Sequence, residues 1–291
     1  SSYLSNTKLP KQNYKKKTQT KTPPPAANEV IHSVFNSVER FPKGNPQTVE
    51  MRVKLCYNTF MNLISPDFAR VKALFEKNRT TFERFFRLLT EYNARYNLTA
   101  ITAWEEVVHK HFYDSLAGEP LFPDGADAVE IGSGAGFPSL PLKIVRPDLA
   151  LTLVESTGKK CEFLRAAVRE LGLEGVTVLH ARAEELGKDP NYRERFSVAF
   201  ARAVAPLPSL AEYCLPLVRT GGRFIAYKGA TDESEEGKKA VVSLGGSLAG
   251  SVRYELPQGY GARTLIVAEK TGKTPAKYPR GQGKERSAPI V

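Results

Sequence analysis

The residues best suited to bind a ligand are three alternating glycines, Gly132, Gly134 and Gly136, which follow a predicted strand over 126–131. Such a turn lets the backbone approach a ligand closely, and the helix that follows offers unpaired N–H groups at its start. Phe137 stands where the dinucleotide fingerprint G-x-G-x-x-G would place its third glycine. This departure favours S-adenosylmethionine over a nicotinamide cofactor. From these residues alone, a glycine turn made only for strand–helix packing remains an equal alternative.

A second apolar run, 151–154, ends in Glu155, nineteen positions after Gly136. In a nucleotide-binding βαβ unit, an acidic residue at the tip of the second strand accepts hydrogen bonds from the ribose hydroxyls. Alone, Glu155 would be interpreted as a surface carboxylate at the end of a strand. Its spacing from the glycine turn favours a role in ribose binding.

The next two strand ends are candidate sites as well, because ligands of doubly wound sheets bind beyond the carboxyl ends of the strands. After the third predicted strand, the segment 182–185 offers a backbone N–H and a carboxylate for adenine, although an acidic helix start would look the same. The fourth strand ends near Arg202, whose guanidinium could hold a carboxylate or a phosphate bidentately. A surface arginine is the alternative there.

The residues after the fourth strand narrow the choice of methyl acceptor. Methylation of an exocyclic amine in adenine or cytosine usually employs an Asn/Asp-Pro-Pro-aromatic turn, whereas this chain has Ala201-Arg202-Ala203. Methylation of a pyrimidine carbon needs a cysteine nucleophile, and no cysteine falls at a predicted strand end. The N7 of guanine needs neither, because its in-plane lone pair attacks a methyl sulfonium directly. Such an enzyme supplies alignment and charge placement rather than a general base.

The hydrophobic pattern predicts an α/β fold: a Rossmann-like, seven-stranded, doubly wound and mostly parallel sheet, as in S-adenosylmethionine-dependent methyltransferases, with an N-terminal helical cap. Aromatic residues at helical spacing after residue 67 predict the cap, and a further helix is predicted from 104 to 116. The remaining predicted strands cover 150–155, 176–179, 196–201, 222–228, 248–256 and 262–269, and the remaining predicted helices cover 137–146, 157–171, 208–218 and 232–243.

The net charge of +11 is concentrated at the two ends of the chain. Residues 1–66 carry ten lysines and arginines against three acids, and residues 270–291 carry six against one. Basic ends on a nearly neutral body are typical of proteins that bind a polyanion, although a solubilising leader is an equal alternative for 1–66. We therefore divide the chain into a largely disordered leader (1–66), a helical part (67–117), a methyltransferase domain (118–270) and a basic tail (271–291).

Membrane, disulfide and metal proteins are disfavoured by the same sequence. No run of eighteen apolar residues is present, so we expect no membrane span. The three cysteines form no C-x-x-C pair and the four histidines do not cluster, so we expect neither a disulfide framework nor a metal site. His109 and His111 lie two apart on a predicted helix, hence on different faces, and their spacing alone suggests structural roles.

Several ordered motifs run from residue 82 to residue 290, and the most specific are 92–101 (YNARYNLTAI), 111–116 (HFYDSL), 131–138 (IGSGAGFP) and 278–280 (YPR). Jointly they resemble the bacterial small-subunit ribosomal RNA guanine-N7 methyltransferases, the RsmG or GidB family. The resemblance implies methyl transfer from S-adenosylmethionine to N7 of a guanine in the 530 loop of 16S ribosomal RNA, guanine 527 in the usual bacterial numbering. It implies a cytoplasmic enzyme acting on the small ribosomal subunit; we expect a monomer without metal.

The resemblance also implies roles for individual residues. Arg202 is expected to align the reactants and place charge. The implied cofactor contacts are Gly132, Gly134, Gly136, Phe137, Glu155, Ser156, Thr157, Ala183, Glu184 and Arg202. The candidates for RNA contacts at the rim are Asn97, His111, Asp114, Ser115 and Lys228, and the basic tail adds Arg280, Lys284 and Arg286.

Two departures and three alternatives accompany this hypothesis. Ser139 stands where the family commonly carries glycine, and residues 1–66 have no family counterpart, so they could also be an organelle-targeting leader. The alternatives are a non-catalytic RNA-binding or ribosome-assembly factor, a nicotinamide oxidoreductase and a small-molecule methyltransferase. The intact glycine turn, Glu155 and Arg202 argue against the first, and Phe137 argues against the second.

Overall fold

The computed structural model describes residues 65–291, so the expectations for residues 1–64 lie outside the described part of the chain. Two helices open this part, α1 (Phe68–Lys77) and α2 (Arg79–Tyr96). The Asp67 carboxylate caps α1 by accepting hydrogen bonds from the backbone N–H groups of residues 69 and 70, at 3.0 and 3.2 Å. Helix α2 ends at Asn97, which adopts the left-handed conformation with φ 50°.

Aromatic side chains on the inner faces of α1 and α2 attach this cap to the rest of the fold. Phe75, Phe82 and Phe85 are buried, and their ring centroids lie 6.1, 4.8 and 5.7 Å from that of Phe112. Phe85 also lies 5.3 Å from Phe137 in the glycine turn. Because offset and edge-to-face ring contacts at these distances are favourable, the cap holds the turn in place through a continuous aromatic core.

The next segment is helical throughout but changes its winding in the middle. It consists of α3 (Trp104–Val107), a π-helical turn (Val108–Tyr113) and α4 (Asp114–Ala117). The predicted helix over 104–116 is therefore present, whereas the π turn has no signal in the sequence. Such wide turns are rare and occur frequently at functional sites. Here the turn carries residues 109–111, on which the site below depends.

The predicted Rossmann-like sheet is confirmed. Its strands are β1 (Asp127–Ile131), β2 (Ala150–Glu155), β3 (Val176–His180), β4 (Phe196–Arg202), β5 (Val218–Lys228), β6 (Gly246–Glu255) and β7 (Ala262–Lys270). They lie in the order β3-β2-β1-β4-β5-β7-β6. The first five pair in parallel, and β7 runs antiparallel to both β5 and β6. The order reverses between β1 and β4, which is the place where ligands of such sheets bind.

The connecting helices are α5 (Ser139–Val145), α6 (Gly158–Leu171), α7 (Ala183–Leu186), α8 (Leu207–Cys214), α9 (Ser234–Ser243) and α10 (Lys284–Ser287). The main boundary difference from the sequence prediction lies after α8, where a 3₁₀ turn containing Pro216 leads into β5 at residue 218 rather than 222. Gly222 lies inside this strand. The position requires a glycine, because a Cβ there would stand 2.6 Å from the carbonyl oxygen of Ser197 in β4. The absence of a side chain at Gly222 thus permits the close approach of β5 to β4.

The segment 271–291 folds back against α8 and its neighbours. Arg193 donates hydrogen bonds to the carbonyl oxygens of Thr274 and Tyr278, both at 2.8 Å, and Ser209 in α8 donates to the carbonyl oxygen of Glu285 at 2.7 Å. Within residues 65–291, no helix is long and apolar enough to cross a membrane. The same residues contain no group of three or more His, Cys, Asp or Glu side chains placed to hold a metal ion.

Candidate active site

The glycine turn lies at the carboxyl end of β1, next to the end of β2. Gly132, Gly134 and Gly136 all have positive φ, at 70°, 55° and 80°, a conformation that L side chains rarely adopt. The N–H of Gly132 donates to the carbonyl oxygen of Val154 at 2.8 Å, so the turn is fixed to β2. The backbone conformation therefore requires the three glycines, as the sequence predicts for a turn that a ligand can approach closely.

Gly132 also has a steric reason to be glycine. A Cβ at this position would stand 2.6 Å from Cγ2 of Val204, which follows β4. Between Val204 and the end of β4 lies Ala203, itself in a positive-φ conformation at 57°. A non-glycine residue held there carries a conformational cost that the surrounding structure must offset. The segment 202–204 thus closes tightly over the glycine turn.

Glu155 at the end of β2 stabilises the glycine turn by accepting backbone hydrogen bonds. One carboxylate oxygen accepts the N–H of Gly134 at 3.0 Å, and the other accepts the N–H of Thr157 at 2.8 Å. The side chain is buried. Since each carboxylate oxygen has further lone pairs, hydroxyl groups of a ligand could still donate to it.

Two cavities flank the segment 202–204. The glycine-turn cavity has a volume of about 280 Å³, and its lining includes Gly132, Ser156, Ala183, Glu184, Val204 and Arg286. The arginine cavity has a volume of about 330 Å³, and its lining includes Lys110, His111, Asp114, Arg202, Lys228 and Arg263. The residues at the end of β4 and directly after it therefore lie between the two cavities, at the point where the strand order of the sheet reverses.

Arg202 is held in the arginine cavity by three acceptors. Its Nη1 donates to Oδ2 of Asp114 at 2.9 Å and to the carbonyl oxygen of Lys110 at 3.1 Å, and its Nη2 donates to Nδ1 of His111 at 3.0 Å. Its guanidinium carbon also lies 5.2 Å from the centroid of the Phe137 ring. Since guanidinium has five N–H donors, Nε and one hydrogen of Nη2 are left for a ligand.

The protonation of His111 follows from these contacts. Arg202 can only donate, so Nδ1 of His111 accepts, and Nε2 carries the proton and donates to Oγ1 of Thr99 at 3.0 Å. Burial, and secondarily the charge of Arg202, lower the pKa of His111 to about 3, so the imidazole is neutral at physiological pH. Its ring stacks on Phe137 at 4.4 Å. His111 therefore fixes Arg202 rather than acting as a cation.

Asp114 is the acceptor at the centre of this network. Besides Arg202, it accepts a hydrogen bond from the hydroxyl of Tyr254 at 2.8 Å, and Nε of Arg263 lies 3.7 Å from Oδ2. Burial and the nearby Asp114 raise the pKa of Tyr254 well above its usual range, so the phenol keeps its proton and donates. The antiparallel strands β6 and β7 thus contribute to the site from the far edge of the sheet.

The structure brings some predicted residues together and leaves others apart. Ser115 is fully buried, with its Oγ donating to the carbonyl oxygen of His111, while Asn97 is exposed at the end of α2. Lys228 lines the arginine cavity but pairs with Glu233 at 2.9 Å. An RNA role for these three residues stays a prediction.

The three predicted tail residues have three different surroundings. Arg280 pairs with the buried carboxylate of Glu212 at 2.7 Å. Arg286 lines the glycine-turn cavity and donates to the carbonyl oxygen of Val204 at 3.2 Å. Lys284 is exposed in α10. Of these side chains, Lys284 has the placement that suits a phosphate contact best.

Comparison with known proteins agrees with this geometry. The family model described as rRNA small subunit methyltransferase G, or GidB, matches residues 78–249. The chain belongs to this family. A protein of Lactobacillus delbrueckii named ribosomal RNA small subunit methyltransferase G is 46% identical over 215 residues, 72% of this chain and 90% of the relative. A protein of the same name from Pelotomaculum thermopropionicum is 47% identical over 219 residues, 74% and 92% of the two chains. The expected family is thereby confirmed.

Sequence reasoning missed several residues of the site. Val204 and Tyr213 line the glycine-turn cavity, and Tyr254 and Arg263 surround Asp114. Tyr213, Tyr254 and Arg263 come from α8, β6 and β7, so no local spacing marks them, whereas Val204 lies only two residues after Arg202. Thr99 lies within the motif 92–101, so its contact with His111 is the one that the motif could have indicated.

Proposed function

We propose that the protein transfers a methyl group from S-adenosylmethionine to N7 of a guanine in the 530 loop of 16S ribosomal RNA, guanine 527 in the usual bacterial numbering. The family supports small-subunit ribosomal RNA as the methyl acceptor. The observation that carries the proposal is the pair of cavities that meet at the segment 202–204, one beside the glycine turn and one around Arg202. A donor and an acceptor held in these cavities would lie side by side where the cavities meet, so that their reacting atoms can come into direct contact.

Two observations, one on the lining of the glycine-turn cavity and one beside it, support S-adenosylmethionine as its ligand. Gly132 lines the cavity beside Val204, which packs where a Cβ of residue 132 would stand, and the buried carboxylate of Glu155 lies at the end of the neighbouring strand. Ala183 and Glu184 line the far part of the cavity, where adenine would lie. The cofactor supplies an electrophilic methyl group on a sulfonium. Arg286, a candidate RNA contact from the sequence, lines this cavity, which supports a contact with the cofactor.

The arginine cavity suits an acceptor that needs no general base. His111 is neutral with Nδ1 occupied by Arg202, and Asp114 is engaged by Arg202 and Tyr254. Neither side chain is therefore poised to remove a proton, and the N7 lone pair of guanine requires no such step. The two remaining N–H groups of Arg202 can donate to O6 of the base, a guanine-specific acceptor. Arg202 would thus orient the base.

Charge placement completes the proposed mechanism. Methyl transfer moves one positive charge from the sulfonium to the purine ring, next to the cation of Arg202. The buried carboxylate of Asp114 lies between Arg202 and Arg263 and offsets this accumulation of charge. The exposed Lys284 supplies a candidate phosphate contact. We further propose that a monomer acts where small subunits are assembled, in the cytoplasm, or in an organelle if residues 1–66 are a targeting segment.

The test is methyl transfer to small subunits purified without the modification. The purified chain and labelled S-adenosylmethionine are incubated with these subunits, and the methylated nucleotide is mapped by mass spectrometry. We expect one N7-methylguanine in the 530 loop. Label at another nucleotide would correct the target, and no label from protein that binds the cofactor would favour a non-catalytic RNA-binding factor.

A further inference from the structure

A third cavity opens between the N-terminal cap and the loop that joins β6 to β7. Its volume of about 420 Å³ exceeds those of the glycine-turn and arginine cavities. We call it the aromatic cavity and define it by six of its lining residues, Lys72, Phe75, Trp104, His109, Tyr113 and Gln258. Neither the cofactor nor the target guanine requires this space.

The π turn forms a wall that the aromatic cavity shares with the arginine cavity. His109 lines the first and His111 lines the second, although a single residue separates them in the chain. That residue, Lys110, holds its Nζ 5.7 Å from the centroid of the Tyr260 ring. The Tyr260 ring in turn stacks on His109, with centroids 4.5 Å apart and planes inclined by 9°. A ligand with one group in each cavity would therefore have to span only the π turn.

The lining of the aromatic cavity suits a flat ligand with a polar edge. The Trp104 ring is partly exposed to the cavity, whereas the Phe75 and Tyr113 rings are buried and support it from behind, with Phe75 6.2 Å from Trp104 and 5.5 Å from Tyr113. Charged side chains of both signs accompany them: Lys72, Glu76, Arg79 and Glu105. Such charges disfavour a purely apolar occupant, because their desolvation would be uncompensated. Unpaired nucleobases combine a stacking face with hydrogen-bonding edges, and proteins hold them on aromatic side chains.

We propose that the aromatic cavity is a second base-binding subsite, which holds an unpaired nucleobase adjacent to the target guanine on the same RNA strand. The inference rests on the proposed function, since the arginine cavity fixes where the target guanine lies. A base held in the aromatic cavity would keep the strand open while the guanine, taken out of its stack, enters the arginine cavity across the shared wall. The subsite would increase the affinity for RNA and fix which nucleotide of the strand enters the arginine cavity, without contacting the reacting atoms.

The chain provides its own reporter for this subsite. Trp104 lines the aromatic cavity and is the only tryptophan of the sequence, so its fluorescence reports on the occupancy of that cavity. The full chain is titrated with a short single-stranded RNA that contains one guanine, and with two copies in which the nucleotide on the 5′ or the 3′ side of the guanine is abasic. We expect the intact RNA to quench Trp104. We expect one abasic copy to quench little and to bind roughly tenfold more weakly, the loss of one stacked base.

A matched pair of variants adds a second readout. Lys72→Ala removes an exposed cation at the rim of the aromatic cavity, and Lys239→Ala removes an exposed cation from α9 on another part of the surface. We expect Lys72→Ala to weaken binding of the intact RNA by at most about fivefold, as for an exposed charge. We expect Lys72→Ala to leave the affinity for the affected abasic RNA unchanged. We expect Lys239→Ala to change the affinity for neither RNA.

The outcomes separate the subsite from the proposed function. Equal quenching and equal affinity for all three RNAs would overturn the subsite, because Trp104 would then sense binding from a distance. Normal methylation of small subunits in that case leaves the proposed function standing. Loss of both the fluorescence response and methyl transfer, in protein that still binds S-adenosylmethionine, would overturn the proposed function together with the subsite.

Discussion

Arg202 and Asp114 form an ion pair at 2.9 Å, in which only 13% of the arginine side chain and 5% of the aspartate side chain are exposed. A pair so far removed from water is costly to break, because either partner alone would be a buried, uncompensated charge. The hydrogen bonds from Arg202 to His111 and from Tyr254 to Asp114 fix the orientation of both partners. The guanidinium is therefore preorganised before any ligand binds.

Arg202→Ala should lower kcat by roughly a hundredfold, the usual loss when a preorganised donor is removed from an active site. The affinity for S-adenosylmethionine should change little, because Arg202 lines the arginine cavity rather than the glycine-turn cavity. Single-turnover methylation and calorimetry measure the two effects. Arg253→Ala, at an exposed position, is the control and should change neither. Unchanged turnover in a folded Arg202→Ala protein would show that this residue does not align the reactants.

Gly132→Ala should abolish most binding of S-adenosylmethionine. The new Cβ would stand 2.6 Å from Val204, and the residue would also have to hold φ at 70°. Gly172→Ala is a matched control, since φ there is 66° and no atom lies within 4 Å of the added Cβ. The control should lose about 1–2 kcal/mol of folding free energy from the left-handed backbone and retain cofactor binding. Equal cofactor affinity in the two variants would contradict the steric role of Gly132.

The two tail residues Arg280 and Lys284 should separate stability from RNA binding. Glu212 is fully buried, and Arg280 is its ion-pair partner, so Arg280→Ala should cost about 3–5 kcal/mol in the free energy of unfolding. Lys284→Ala should leave stability unchanged, because the side chain is exposed, and should reduce the salt dependence of RNA binding. Urea denaturation and binding titrations at several salt concentrations test both. A stable Arg280→Ala protein would refute the structural role of this arginine.

The sequence predicted the sheet well because its signals are local. Apolar runs, the glycine turn and Arg202 at a strand end each depend on a few neighbouring residues, and the predicted doubly wound topology and ligand-binding edge follow from general rules. The surroundings of Asp114 depend instead on Tyr254 and Arg263, which the sheet brings from its far edge. Arg280 pairs with Glu212, which is distant in sequence, and Lys228 pairs with Glu233, which no motif marks. The sequence therefore predicted cations free to bind RNA at two positions where the structure has ion pairs.

Glu130 gives the protein a pH dependence of stability. This side chain is fully buried near the end of β1; the hydroxyls of Ser139 and Ser133 lie near its carboxyl group, but neither carboxylate oxygen forms a hydrogen bond of regular geometry with the described residues. Burial raises the pKa of Glu130 from its usual value of 4.5 to about 8. Between these values the unfolded chain has lost the proton and the folded protein retains it. The folded state binds more protons there, so the free energy of unfolding falls as the pH rises from about 4.5 to 8.

Glu130→Gln should remove this slope, because the amide keeps the shape of the protonated acid and does not titrate. Urea denaturation at a series of pH values across this window measures the difference between the variant and the original protein. Glu235→Gln is the matched control, since 86% of the Glu235 side chain is exposed, and it should follow the original protein at every pH. Parallel curves for Glu130→Gln and the original protein would show that the buried carboxyl is not what titrates in this window.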